Sequence, residues 1–181
     1  MVGLMNGDIR VDSEYGKGSV FTVLIPQEIY TGTGEIPVNG GRNKLADAIT
    51  FHTPACRYLI VDDNRLNLIV ATRFLDGLNG QIETVQSGSE ALKKMRENRY
   101  DLIFMDHMMP DLDGVQTYQQ SLSDPDNRNL STPIIMMTAN ALNGVREEYL
   151  NIGFADYLSK PLEINELVRV VRLHLSAEKI Q

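Results

Sequence analysis

From Arg57 onward the sequence predicts an α/β fold, in which a parallel sheet is covered by helices on both faces. Five short apolar segments alternate with segments whose apolar residues recur at helical spacing. Five such units in about 120 residues are typical of a doubly wound sheet with right-handed crossovers. The apolar segments also end abruptly in polar residues, as buried strands do at the edge of a sheet.

Each element of this unit has a local signal. The first helical repeat is followed by Gly80, which is expected to stop it, and the second begins at Ser87 and Glu90, a capping box. The predicted strands are 58–61, 82–85, 102–105, 133–137 and 155–158. The predicted helices are 66–74, one after Ser87, a weak one at 115–122, 143–151 and 164–175.

The crossover rule leaves few possible strand orders for such a unit. We expect the flavodoxin-like order 2-1-3-4-5, with five helices around the five strands. In sheets of this kind ligands bind outside the carboxyl ends of the strands. The residues at those ends are therefore the first candidates for function.

The chain before this unit has a different pattern. Ile9 and Val11 alternate with charged residues, and a glycine-rich turn leads into a second apolar strand. Residues 1–26 are thus predicted to form a β-hairpin, which would be marginal alone and is expected to come from a larger sheet. Residues 27–55 are rich in turn residues and predict a linker, and 56–181 form the α/β domain.

The composition narrows the class of protein. The 181 residues carry a net charge of −7, and no segment approaches the ~20 apolar residues of a membrane span. We expect no nucleic-acid partner, because that binding needs clustered basic residues, and no membrane contact by this segment. The single cysteine, Cys56, and the lack of a signal-peptide pattern favour a cytoplasmic location.

Four of the predicted strands end in residues that together suit phosphoryl chemistry. Taken along the chain, these are Asp62 with Asp63, Asp106, Thr138 and Lys160. Three crowded carboxylates at one sheet edge need a cation, and oxygen ligands favour Mg²⁺. The lysine adds a second positive charge and the threonine a hydroxyl donor. The set predicts that a carboxylate attacks a phosphoryl group whose charge the cation and the lysine neutralise.

Each of these residues has a simpler explanation when it is considered alone. An acidic pair after a strand can mark a helix N-terminus, with Asp63 or Asn64 as the cap, and Asp106 can merely end a strand. Thr138 can be structural, and Lys160 before a proline can be a solvated loop residue. Their joint occurrence at successive strand ends favours the functional interpretation.

These strand ends resemble the receiver domain of response regulators, over residues 57–176. The matching segments are 59–64 (LIVDDN), 105–106 (MD) with 109–114 (MPDLDG), 137–141 (MTANA) and 158–161 (LSKP). Two segments are similar to those in the receivers of hybrid histidine kinases. One is Asp-Asp-Asn at 62–64 together with Asn67, and the other is Thr-Ala-Asn-Ala at 138–141. The resemblance covers the whole predicted α/β domain.

The resemblance implies a phosphoacceptor and a metal site. Asp106 would accept the phosphoryl group. Asp63, Asp106 and the backbone carbonyl of Met108 would ligate Mg²⁺ directly. Asp62 would act mainly through water.

The resemblance also implies how the phosphoryl group is held. Thr138, the backbone N–H of Ala139 and Lys160 would bind its oxygens, and the Lys160–Pro161 bond is often cis in this family. Thr138 and Tyr157 would form the switch that responds to phosphorylation. For Tyr157 a half-buried core tyrosine is an equal alternative.

Residues 1–26 resemble the end of the ATPase domain of sensor histidine kinases, through 5–9 (MNGDI), 16–21 (GKGSVF) and 24–26 (LIP). The nucleotide-binding motifs and the phosphoacceptor-histidine helix of that family are not in this sequence, so we expect no kinase activity from it. ATPase tail, linker and receiver follow the domain order of a hybrid sensor kinase. The implied partners are a phosphohistidine donor, in the same parent or another protein, and a histidine phosphotransfer protein or downstream regulator.

Two other classes share part of this pattern. Haloacid-dehalogenase-like phosphatases also use Asp, Mg²⁺, Thr and Lys, but they have a second Asp where this chain has Met108. A receiver-like interaction module that is never phosphorylated usually lacks one acid or the lysine, whereas this chain has them all. His107, directly after Asp106, is expected to be a bystander.

Overall fold

The computed structural model describes residues 7–26, 49–139 and 145–181. The chain divides into two compact units, Met1–Gly40 and Gly41–Gln181. The first residues of the predicted hairpin, most of the predicted linker and the start of the predicted helix 143–151 lie outside the described residues. Within the described part, none of the helices combines the length and the apolar character needed to cross a bilayer.

The N-terminal unit contains a hairpin of β1 (Asp8–Glu14) and β2 (Gly18–Leu24), which pair antiparallel. Ile9 lies opposite Val23 and Val11 opposite Phe21, and directly opposed residues project from the same face. These four apolar side chains therefore share one face, and all four are exposed. The predicted hairpin is confirmed.

Five parallel strands form the sheet of the second unit: β3 (Arg57–Val61), β4 (Gln81–Val85), β5 (Leu102–Asp106), β6 (Ile134–Thr138) and β7 (Asp156–Ser159). They lie in the order β4-β3-β5-β6-β7, and each neighbouring pair is parallel. Counted along this unit the order is 2-1-3-4-5. The predicted flavodoxin-like topology is confirmed.

Four helices connect these strands and a fifth follows the last one: α1 (Arg65–Asp76), α2 (Gly88–Glu97), α3 (Gly114–Ser123), α4 (Val145–Ile152) and α5 (Ile164–His174). Alternate residues of β3 point to opposite faces of the sheet, so each face has its own apolar core. Tyr58 and Ile60 pack with residues of α1 and α5. Leu59 and Val61 pack with residues of α2 and α4 on the other face. The helices thus cover both faces, as a doubly wound sheet requires.

The starts of α2 and α3 depend on side chains that accept from free backbone N–H groups. Ser87 accepts from the N–H of Glu90 at 3.2 Å, and the Glu90 carboxylate accepts from the N–H of Gln86 at 3.0 Å. The predicted cap of α2 is therefore present, with its return bond one residue earlier than expected. Asp113 and Gln116 form a complete capping box at α3, which explains why this weakly patterned helix is well defined.

The end of α1 differs from the prediction. The helix stops at Asp76, and Asn79 with a φ of 61° has already left the right-handed helical region before Gly80. Gly80 is needed for another reason, because a Cβ at this position would collide with the ring of Tyr58. Close packing against β3, not helix termination, accounts for this glycine.

Residues 49–56 pack with the α/β unit, although the linker was predicted to run to residue 55. Phe51 and Thr53 are buried, and the Thr53 hydroxyl lies 2.6 Å from that of Tyr58. The backbone N–H and C=O of His52 pair with those of Gln181 at 2.9 Å each. The last residues of the predicted linker are therefore part of the packing of the α/β unit.

Candidate functional site

The residues that the sequence analysis singled out lie together at the carboxyl edge of the sheet. They are Asp62 and Asp63 after β3, Asp106 at the end of β5, Thr138 at the end of β6 and Lys160 after β7. One carboxylate oxygen from each of the three acids lies within 4.8 Å of the other two. The parallel topology produces this cluster, because it brings the carboxyl ends of all the strands to one edge of the sheet.

Asp62 is fully buried and is surrounded by hydrogen-bond donors. One carboxylate oxygen accepts from the backbone N–H of Asn64 at 2.9 Å and from the side-chain amide of Asn67 at 3.0 Å. The other oxygen accepts from the Lys160 ammonium group at 2.7 Å. These donors compensate for the lost hydration of a buried charge, and they use most of the acceptor capacity of this carboxylate.

Lys160 lies between the two buried acids, 2.7 Å from Asp62 and 2.7 Å from Asp106. Burial raises the pKa of Asp106 above its usual value, although Lys160 and the backbone N–H of Met108 oppose this shift. Burial alone would lower the pKa of Lys160, but hydrogen bonds to both carboxylates outweigh it and raise that pKa. The lysine is therefore charged at neutral pH. The peptide bond after it, Lys160–Pro161, is cis.

Asp63 is the exposed acid of the cluster. Among the described residues no hydrogen bond or ion pair engages its carboxylate. It lines an open cleft of about 490 Å³ together with Met108, whose side chain points largely into solvent. The open carboxylate of Asp63 and the neighbouring carboxylate of Asp106 offer hard oxygen ligands. Mg²⁺ prefers ligands of this kind.

Thr138 is buried at the end of β6, and its hydroxyl is approached from α4. The hydroxyl of Tyr149 donates to Thr138 Oγ1 at 3.4 Å and lies 3.1 Å from Nδ1 of His107. Sequence reasoning missed Tyr149 because no local pattern distinguishes it from an ordinary core tyrosine. His107, which was expected to be a bystander, contacts this tyrosine rather than the acid cluster.

The remaining predicted residues lie near the same edge. Ala139 follows Thr138 and is exposed, and the next residues of the MTANA segment lie outside the described part of the chain. Tyr157 lies on β7 and is half-buried against the core formed with α2 and α4. A half-buried position is compatible with Tyr157 as a switch residue and equally with Tyr157 as a core residue.

Comparison with known proteins identifies the family. Residues 58–172 match the response regulator receiver domain, so the chain belongs to this family. It is a receiver of two-component phosphorelay signalling, which confirms the functional class predicted from the sequence.

Among its relatives is the aerobic respiration control sensor protein ArcB of Escherichia coli K12, 33% identical over 168 residues that make up 93% of this chain and 20% of that protein. The autoinducer 2 sensor kinase/phosphatase LuxQ of Vibrio vulnificus is 31% identical, over 92% of this chain and 19% of that protein. The chain thus spans about a fifth of the length of these curated relatives.

A similar solved structure is the receiver domain of the sensor histidine kinase PA1611 from Pseudomonas aeruginosa, which has a magnesium ion coordinated in its active-site cleft. The two chains are 36% identical with a TM-score of 0.58, and the match covers 66% of this chain and 96% of that one. The likeness therefore concerns the α/β unit and not the hairpin.

Proposed function

We propose that Asp106 is the phosphoacceptor of this receiver and takes its phosphoryl group from a phosphohistidine. The observation that carries the proposal is the contact of one ammonium group, on Lys160, with both Asp106 and Asp62 at 2.7 Å. An Asp106 oxygen would attack phosphorus in line. The new O–P bond forms while the P–N bond breaks, and the electron pair returns to the histidine nitrogen of the donor.

The other residues at the edge would stabilise the transferring group. Lys160 would neutralise one phosphoryl oxygen. The Thr138 hydroxyl and the backbone N–H of Ala139 would donate to others. Thr138 and Tyr157 would then report the modification to the surface around α4, β7 and α5, because a local charge can bias a two-state element.

We assign the Mg²⁺ site to Asp63, Asp106 and the backbone carbonyl of Met108, with Asp62 contributing through water. Asp63 is open to the cleft, whereas the oxygens of Asp62 already accept three hydrogen bonds. The magnesium ion in the PA1611 receiver supports this assignment. When bound, the metal would supply positive charge beside the transferring oxygens.

We infer that the chain is a segment of a hybrid sensor histidine kinase. Residues 1–26 would be the tail of its ATPase domain. The receiver would comprise 56–181 together with residues 49–55 of the predicted linker 27–55. The similarity to ArcB supports this, because it extends over 93% of the chain and so beyond the receiver. The partners would be a histidine kinase, either the parent itself or another protein, and a histidine phosphotransfer protein or downstream regulator. A donor charged by ATP would place the receiver in the cytoplasm.

The test is the intact mass of the protein after incubation with acetyl phosphate and Mg²⁺. Wild type is expected to gain one phosphoryl mass, Asp106→Asn none, and EDTA should abolish the gain. Asp111→Asn is the matched control, since it removes an exposed acid from the same loop and should be labelled like wild type. Equal labelling of Asp106→Asn and wild type would contradict the assignment.

A further inference from the structure

The buried Tyr149 is not explained by the proposed chemistry. It lies on α4 with 4% of its surface exposed. Its ring meets Phe154 edge-on, with centroids 6.0 Å apart, and His107 edge-on at 5.6 Å. Aromatic packing on two sides therefore holds the hydroxyl between Thr138 and His107.

The hydrogen bonds around this hydroxyl have a direction. A tyrosine hydroxyl has one hydrogen, and the geometry has it donated to Thr138 Oγ1 at 3.4 Å. Tyr149 can then accept from Nδ1 of His107, 3.1 Å away, when the imidazole carries its hydrogen there. With its oxygen accepting from Tyr149, Thr138 directs its own hydrogen to another acceptor. The three side chains form a chain of hydrogen bonds that ends at Thr138, on the sheet edge that carries the acid cluster.

We propose that Tyr149 is a positioning residue, which orients the Thr138 hydroxyl so that it donates to a phosphoryl oxygen on Asp106. His107 supports it by donating to the tyrosine. Successive hydrogen bonds in such a chain strengthen one another in a poorly hydrated environment. The inference rests on the proposed function of Asp106, and it adds a residue of α4 to the site.

The first test is the rate of phosphoryl gain from acetyl phosphate at saturating Mg²⁺. Tyr149→Phe should lower that rate about threefold to tenfold, the effect of one hydrogen bond, while the Mg²⁺ concentration for half-maximal rate stays unchanged. Tyr118→Phe is the matched control. It also removes a tyrosine hydroxyl on this face of the sheet, but an exposed one that donates to the carbonyl of Gly153 at 2.9 Å, and it should be labelled like wild type.

A double-mutant cycle separates positioning from general damage to the fold. Once Thr138→Ala has removed the oriented hydroxyl, adding Tyr149→Phe should cost no further rate. An equal loss in both backgrounds, or no difference between Tyr149→Phe and Tyr118→Phe, would overturn the proposal.

A readout that needs no phosphorylation keeps the inference distinct from the proposed function. In ¹⁵N-labelled protein, His107 is expected to carry its hydrogen on Nδ1. That resonance should shift in Tyr149→Phe and not in Tyr118→Phe. An unprotonated Nδ1 in wild type, or an unchanged resonance in Tyr149→Phe, would overturn the relay even if Asp106 proved to be phosphorylated. If wild type shows the expected His107 resonance but gains no phosphoryl group from acetyl phosphate, only the assignment of Asp106 as phosphoacceptor is contradicted.

Discussion

A single lysine allows two carboxylates to lie buried side by side. These residues are Lys160, Asp62 and Asp106. Two buried carboxylates close together repel each other, and the lysine offsets this by contacting both at 2.7 Å. Removing Lys160 alone would leave both carboxylates buried without compensation. With Asp63, the three carboxylates and one ammonium group carry a net charge of −2, so a divalent cation beside Asp63 would be favourable.

A second charged group, away from this cluster, predicts a pH dependence of stability. Partial burial opposes ionisation of Glu83, but hydrogen bonds from Arg57, Tyr100 and Lys94 outweigh it and lower its pKa. A carboxyl group whose pKa is lowered on folding stabilises the fold fully at pH values above its pKa in the unfolded chain, about 4.3 for glutamate. This contribution is lost as the pH falls through the lower pKa of the folded state. Glu83→Gln should therefore reduce the free energy of unfolding at pH 7 by about 1 kcal/mol.

Urea unfolding at several pH values measures this effect. The difference between Glu83→Gln and wild type should shrink progressively below about pH 4. Glu97→Gln is the control, because its lysine partners are 3.8 and 4.0 Å away on an exposed helix surface, and it should change stability by less than about 0.5 kcal/mol. A difference for Glu83→Gln that is the same at all pH values would contradict the ion-pair explanation.

At the scale of elements, two helices begin at glycines that allow close approach. A Cβ on Gly88, the first residue of α2, would lie 2.9 Å from the backbone oxygen of Leu112. A Cβ on Gly114, the first residue of α3, would collide with the carbonyl of Asp106 and lie 3.2 Å from Cα of His107. The start of α3 therefore packs directly on the backbone that carries the proposed phosphoacceptor.

Gly114→Ala should consequently affect both stability and phosphorylation. The backbone of β5 cannot move away as a flexible side chain could, so we expect a loss of about 2 kcal/mol in unfolding free energy and slower labelling by acetyl phosphate. Gly77→Ala is the matched control at the end of α1, where the added Cβ meets mainly the tip of Ile49. Labelling of Gly114→Ala at the wild-type rate would show that the site tolerates a shift of this backbone.

At the scale of the whole molecule, the α/β unit includes chain that precedes its first strand. The ring of Phe51 is buried, and the guanidinium of Arg172 in α5 lies 5.6 Å from its centroid. His52 pairs through its backbone with Gln181. The segment thus joins the two ends of the unit.

Two shortened chains test this boundary. A chain beginning at Cys56 should be less stable than one beginning at Ile49 by about 3 kcal/mol, because it loses a buried aromatic residue. Phe51→Ala in the longer chain should reproduce most of that loss, and His52→Ala, which keeps its backbone pairing, should cost less than about 0.5 kcal/mol. Equal unfolding midpoints for the two chains would return residues 49–55 to the linker.

The sequence by itself determined the class of fold, the strand order and the membership of the acid cluster. Period and length distinguish strands from helices locally, and parallel strands must end at a common edge, so Asp62, Asp106 and Lys160 could be brought together without coordinates. Only the tertiary structure decided that Tyr149 reaches Thr138, that Phe51 is core and that Gly114 touches Asp106. The physical reason is that these contacts join residues from separate elements through side-chain packing, which leaves no periodic signal in the chain.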